Sequence, residues 1–85
     1  MIEGLFRIEY EYYDKRGHTR SKKIECGGFE RVIHHCKTIE QLEDHKPIST
    51  PRITKVNYGK PDDELKYKAV LRGEYSGKFE RGRRS

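Results

Sequence analysis

The chain has no tryptophan, one methionine, two cysteines and three prolines among its 85 residues, and each scarcity excludes something. Two cysteines, Cys26 and Cys36, cannot supply the disulfide framework of a small secreted domain, so a reducing compartment is the natural setting. No apolar run approaches the roughly 20 residues that span a bilayer. The N-terminus also lacks the charged region, apolar stretch and cleavage site of a secretory signal. These absences predict a cytoplasmic protein that does not engage a membrane. Leu, Ile, Val and Phe are scarce as well, 17 residues in all, near the border where chains tend toward disorder. Six tyrosines add amphipathic surface and the net charge of +5 is small for the length, so a folded chain is expected. One domain of marginal stability, roughly 4–13 kcal/mol by per-residue averages, is what this length supports.

What the chain has in abundance is charge: 19 Lys and Arg against 14 Asp and Glu. Residues 1–43 carry 8 of each sign, whereas residues 44–85 carry 11 cations and 6 anions. Counted this way, the whole positive excess belongs to the second half.

Periodicity organises the rest. From Leu5 to Tyr13 the residues alternate, Phe6, Ile8, Tyr10 and Tyr12 against Arg7, Glu9 and Glu11, as in a half-buried strand. Asp14-Lys15-Arg16-Gly17 reads as a turn in which Gly17 takes a positive φ. A second strand, about Thr19 to Cys26, folds back with Ile24 and Cys26 inward and Ser21, Lys23 and Glu25 beside Arg7, Glu9 and Glu11. Gly27-Gly28 ends it. Phe29, Val32, Ile33, Cys36, Ile39 and Leu42 then recur every three or four residues, predicting a helix over 29–44. Thr38 to Gln41 also fits a capping box, which allows a break near Lys37. His45 to Pro51 has loop composition, and Arg52 to Tyr58 reads as a third strand around Ile53 and Val56. After the turn at Gly59 to Asp63, Leu65, Tyr67, Ala69 and Leu71 alternate with Lys66, Lys68, Val70 and Arg72, favouring a fourth strand over 62–72. A short helix competes, on Pro61, Asp62, Asp63 and Glu64 as first-turn residues and Arg72-Gly73 as a stop. The expected fold is α+β: an antiparallel four-stranded sheet with one helix packed on one face, in the order ββαββ. Residues 1–75 form this domain and 76–85 a basic, flexible tail.

No motif announces chemistry. Cys26, His34, His35, Cys36 and His45 are of zinc-ligand type, but no Cys-x-x-Cys or His-x-x-x-His pair occurs and the helical stripe draws Cys36 into the core. No metal or other cofactor is expected, with the Cys26/His34/His35/Cys36 cluster as the open alternative. Neighbours on a helix diverge, so His34 and His35 cannot both serve Cys36 as a nucleophile's base. Gly27-Gly28 before a helix has no accompanying Walker or GxGxxG residues and reads as a turn. The strongest signal is a basic stripe of Lys66, Lys68 and Arg72 on the polar side of the fourth strand, extended by Lys55, Lys60 and Lys23. The tail residues Arg81, Arg83 and Arg84 continue it, with Tyr58 and Tyr75 as stacking platforms. Such a stripe suits a phosphate backbone; lysines on edge strands also serve simply to prevent sheet pairing.

In size and plan, over residues 5–72 and without a shared motif, the chain resembles small α/β inhibitor proteins of phages and mobile elements, anti-CRISPR proteins among them. That resemblance implies a stoichiometric blocker of a host nucleoprotein complex, although many such inhibitors are acidic DNA mimics and this chain is basic. The reading is a non-catalytic binding protein docking by its basic face on a host protein or nucleoprotein complex, or on its DNA or RNA directly. A small metal-independent ribonuclease of toxin type, and a homodimer formed through a tyrosine-bearing edge strand, are the alternatives. Oligomeric state is left open.

Overall fold

The alternating N-terminal segment forms β1 (Leu5–Tyr13), the turn reverses it, and β2 (Thr19–Gly27) returns antiparallel. The computed structural model describes residues 4–57 and 60–75. Asp14 builds the turn: its carboxylate accepts from the backbone N–H groups of Arg16 and His18, both at 2.9 Å. Gly17 supplies the left-handed step at φ 82°, a conformation that costs little only without a Cβ. In the resulting register Phe6, Ile8, Tyr10 and Tyr12 stand opposite Cys26, Ile24, Lys22 and Arg20.

The helix α1 spans Phe29–Glu40 and buries Phe29, Val32, Cys36 and Ile39 as one stripe. It is shorter than the sequence stripe suggested and has no break at Lys37. Its last turn tightens, with the N–H groups of Gln41 and Leu42 bonding three residues back to Thr38 and Ile39, a common way for a helix to end. Leu42 still packs against the core from outside the helix.

β3 (Arg52–Asn57) pairs with β1, and β4 (Lys60–Leu65) pairs with β3 across an irregularity at Lys55/Val56. Tyr58 lies outside the described residues. The sheet order is β2-β1-β3-β4, antiparallel throughout. β1 is interior where β2 and β3 flank it, over Leu5–Glu9, and its tyrosines Tyr10, Tyr12 and Tyr13 lie beyond that overlap.

The fourth strand stops at Leu65, and residues Tyr67–Leu71 form a second helix, α2. The strand expected over 62–72 is corrected here, and Val70 supplies the reason. Alternation assigned it to water beside Lys66 and Lys68, yet it is fully buried; helical spacing puts it on the same side as Tyr67. Gly73, at φ 79°, ends α2: its N–H bonds the Val70 carbonyl and that of Glu74 the Ala69 carbonyl, both at 2.8 Å. This pair of bonds is a Schellman closure. The fold is thus an α+β four-stranded antiparallel sheet in the order ββαββ, with this short helix added.

The core lies between the sheet and the helices. Phe6, Ile8, Val32, Cys36, Ile53 and Val70 are its fully buried members. Tyr67 ties α2 to α1, its hydroxyl donating to Glu40 Oε2 at 2.7 Å. Tyr75 packs edge-on against Phe29 and Phe6, with centroids 5.3 and 6.4 Å apart. Tail residues 76–85 lie outside the described part.

Candidate functional site

The sheet side away from the helices does not form the expected basic surface. Its charges alternate across the strands: Glu9 lies between Lys23 and Arg52, and Arg7 is opposite Glu25. Arg7 holds the Glu25 carboxylate through Nε at 3.0 Å and Nη2 at 2.8 Å, and Arg52 approaches Glu64 at 3.7 Å. Opposite charges facing one another across strands stabilise a sheet modestly, and they cancel the field that a polyanion would feel.

The cations singled out in the sequence are dispersed. Lys23 is exposed on this balanced side. Lys55 is half-buried on the opposite side of β3, with Asp63 and Phe6 as its strand neighbours, and its Cε lies 3.2 Å from where a Cβ on Gly4 would be. Lys66 precedes α2, Lys68 sits exposed within it, and Arg72 at its end reaches Glu74 at 3.2 Å. Lys60 opens β4, while Arg81, Arg83 and Arg84 lie outside the described residues. With residues 67–71 helical, Lys66, Lys68 and Arg72 do not form one side of a strand, and among the described residues the single stripe is not assembled.

Of the thiol and metal candidates, the two cysteines lie in the core and His34 lies outside it. Cys36 is fully buried and Cys26 nearly so, both as free thiols, whereas His34 is exposed. Burial drives the Cys36 thiol up to about 12, with Cys26 and Glu40 adding to the effect. A thiol held protonated in this way is a poor nucleophile and a poor metal ligand at neutral pH. Among the described residues, no group of three or more His, Cys, Asp or Glu side chains is placed to hold a metal ion. The N–H of Gly28, which opens α1, is engaged by the Gly4 carbonyl at 2.8 Å, in keeping with a structural turn.

The exposed charge instead concentrates on the outer part of the β1–β2 hairpin. β3 pairs with β1 only from Leu5 to Glu9. Beyond that point β1 and β2 continue as a two-stranded ribbon, steadied on one flank by the Ile48 N–H bond to the Glu11 carbonyl at 2.7 Å and by a bridge between Tyr12 and Pro47. Every residue from 15 to 23 is exposed. This stretch includes Lys15, Arg16, Arg20, Lys22 and Lys23, and the ribbon's own carboxylates are Glu11 and Asp14. Asp14 is held by the turn and by Arg20, whose Nε lies 2.9 Å from its Oδ2. That ion pair, with the His18 N–H, keeps its carboxyl below the usual carboxylate range.

The ribbon's helix-facing side pairs Tyr12 with Arg20 and Tyr10 with Lys22. A groove of about 360 Å³ separates this side from the C-terminal half of α1 and the following loop, and His35, Leu42 and His45 reach it from there. His45 packs on Tyr12 with ring centroids 4.6 Å apart. Sequence reasoning missed this arrangement. The signal was present in the run of five cations within Lys15 to Lys23, but dividing the chain at residue 43 averaged it against Glu25, Glu30, Glu40 and Glu43.

No helix among the described residues is long and apolar enough to cross a membrane. Comparison with protein families, curated proteins and solved structures found no match.

Proposed function

We propose that this protein binds nucleic acid without turning it over, through the projecting β1–β2 ribbon. The observation that carries the reading is the uninterrupted exposed stretch from Lys15 to Lys23, with five cations on a ribbon flanked by tyrosines. A two-stranded ribbon is narrow enough to follow a groove or a strand of phosphates, and Lys and Arg on it release counterions as they engage. A stoichiometric block on a host nucleoprotein complex, the role implied by the likeness to phage inhibitors, would use the same surface.

The test is fluorescence anisotropy with labelled DNA and RNA across a salt series. Arg20 is already bridged to Asp14 and Lys23 faces Glu9 across the strands, so Lys15, Arg16 and Lys22 are the ribbon cations open to phosphate. Three phosphate contacts on a single strand give a log–log salt slope of about −2, or roughly a 20-fold loss between 50 and 200 mM salt. Neutralising Arg16 and Lys22 to Gln should cut that slope to about a third. Deleting residues 76–85 measures the tail's share. A slope insensitive to the ribbon substitutions would move the interface elsewhere, and absence of binding at low salt would dismiss the reading.

A second reading has one observation in its favour: His35, His45, Tyr12 and Lys22, groups able to run metal-independent ribonuclease chemistry, border the same groove. It predicts RNA cleavage that vanishes on replacing a single His or Tyr, where a binding protein gives retention with intact RNA.

A further inference from the structure

We infer that the groove between the ribbon and the end of α1 receives one unstacked nucleobase, so that the protein prefers single-stranded nucleic acid to duplex. The inference rests on the nucleic-acid reading above and specifies which part of the polymer the protein grips.

Size and lining both suit that occupant. At about 360 Å³ the groove lies at the small end of ligand pockets, room for one nucleotide and too little for a stacked pair. Its apolar surface comes from Tyr10, Ile24 and Leu42, which are buried or partly buried around it. Tyr10 and Tyr12 stand with centroids 6.2 Å apart, and His45 closes on Tyr12 at 4.6 Å with a tilt of 38°. Planar rings grouped in this way are what a base stacks on, irrespective of its identity.

The backbone holds His45 in place. It has φ 58° and is the one non-glycine with positive φ among the described residues. L residues seldom occupy this region, and where they do the surroundings impose it, often at working sites. Here the left-handed step turns the chain leaving α1 so that the imidazole meets Tyr12.

The charged groups fit the two ends of a nucleotide. Lys22 borders the groove from β2, so a phosphate attached to the bound base meets a cation. Asp44 and Thr38 border it from α1 and the loop. The Thr38 hydroxyl donates to the His34 carbonyl at 3.0 Å, which leaves its oxygen as an acceptor, and Asp44 accepts as well. Acceptors suit the amino and imino edge of a base or a sugar hydroxyl. In a duplex those edges are paired and the faces stacked, so only an unpaired strand can fill the groove.

The experiment uses the full chain with a short oligonucleotide carrying 2-aminopurine, as single-stranded DNA, as single-stranded RNA and annealed in a duplex. Affinity is read by anisotropy and stacking by quenching of the 2-aminopurine. The expected result is tighter binding and quenching of the single strands. Tyr12→Ala should weaken single-strand binding about tenfold, leave duplex binding and the salt slope unchanged, and abolish quenching; Tyr12→Phe should keep both. Circular dichroism checks the fold. If Tyr12→Ala fails to fold, His45→Gly, which accepts the same φ and removes the ring, should produce the same loss. Equal affinity for single strands and duplex, with unchanged binding by these variants and an intact salt slope, would overturn the groove and leave the ribbon standing. No binding of any probe at low salt would overturn both. The DNA and RNA arms decide whether a 2′-hydroxyl contributes.

Discussion

Raising the pH from about 8 to about 10.5 should weaken the fold by roughly 2 kcal/mol through Cys36 alone. Its thiol is fully buried against the sheet, and burial carries it from 9.0 to about 12 in the folded chain. A group raised in this way favours folding below its unfolded value, where both states hold the proton. The contribution is lost as pH climbs toward the folded value, because only the unfolded chain releases the proton. At about pH 10.5 the unfolded thiol has been ionising for some 1.5 pH units, which at ~1.36 kcal/mol per unit gives the stated loss. With a urea dependence of about 1 kcal/mol per molar for so small a domain, the unfolding midpoint should fall by roughly 2 M. Cys36→Val, of similar size and without an ionisable group, isolates the effect from Cys26, Tyr10 and Tyr67, whose ionisation is also raised by burial. The midpoint of Cys36→Val should therefore fall by about 2 M less than that of the wild type, the loss shared by both chains belonging to those other groups. If wild type and Cys36→Val lose the same stability over this range, the thiol is accessible to water in the folded state and the case against it as a nucleophile collapses. Slow labelling of the wild type by a thiol reagent at neutral pH should accompany the first outcome.

Two further perturbations test how the fold is held. Tyr67→Phe removes the hydroxyl that donates to Glu40 and should cost about 1–2 kcal/mol in urea unfolding, without changing the salt slope of nucleic-acid binding; a neutral result would mean that α2 is held by apolar packing alone. Gly17→Ala meets no atom within 4 Å but retains φ 82°, so its cost, about 1 kcal/mol or slightly more, is backbone strain. An unaltered melting temperature would show that the turn rearranges. Neither variant removes a ribbon cation or a groove side chain, so both should retain binding.

The sequence determined the elements whose local pattern has one physical solution. Phe6, Ile8 and Tyr10 alternate and have no helical spacing, and the Asp14 to Gly17 turn leaves them no course but a hairpin. Phe29, Val32, Cys36 and Ile39 align only on a helix, so the place of the Cys36 thiol in the core was legible in that spacing alone. The α+β class followed from these pieces. Tertiary structure decided the rest. Residues 65–71 satisfy both periods through Leu65, Tyr67 and Ala69, and only the space beside α1, which Val70 and Tyr67 fill, selects the helix. Pairing partners also lie beyond local pattern: the short overlap of β3 with β1 makes residues 10–22 a projecting ribbon, and the alternation of Glu9 with Lys23 and Arg52 offsets charge on the sheet. Charge counted along a chain is a one-dimensional sum. What a polyanion meets is the field left after strands have brought opposite signs together, and that field is a property of the fold.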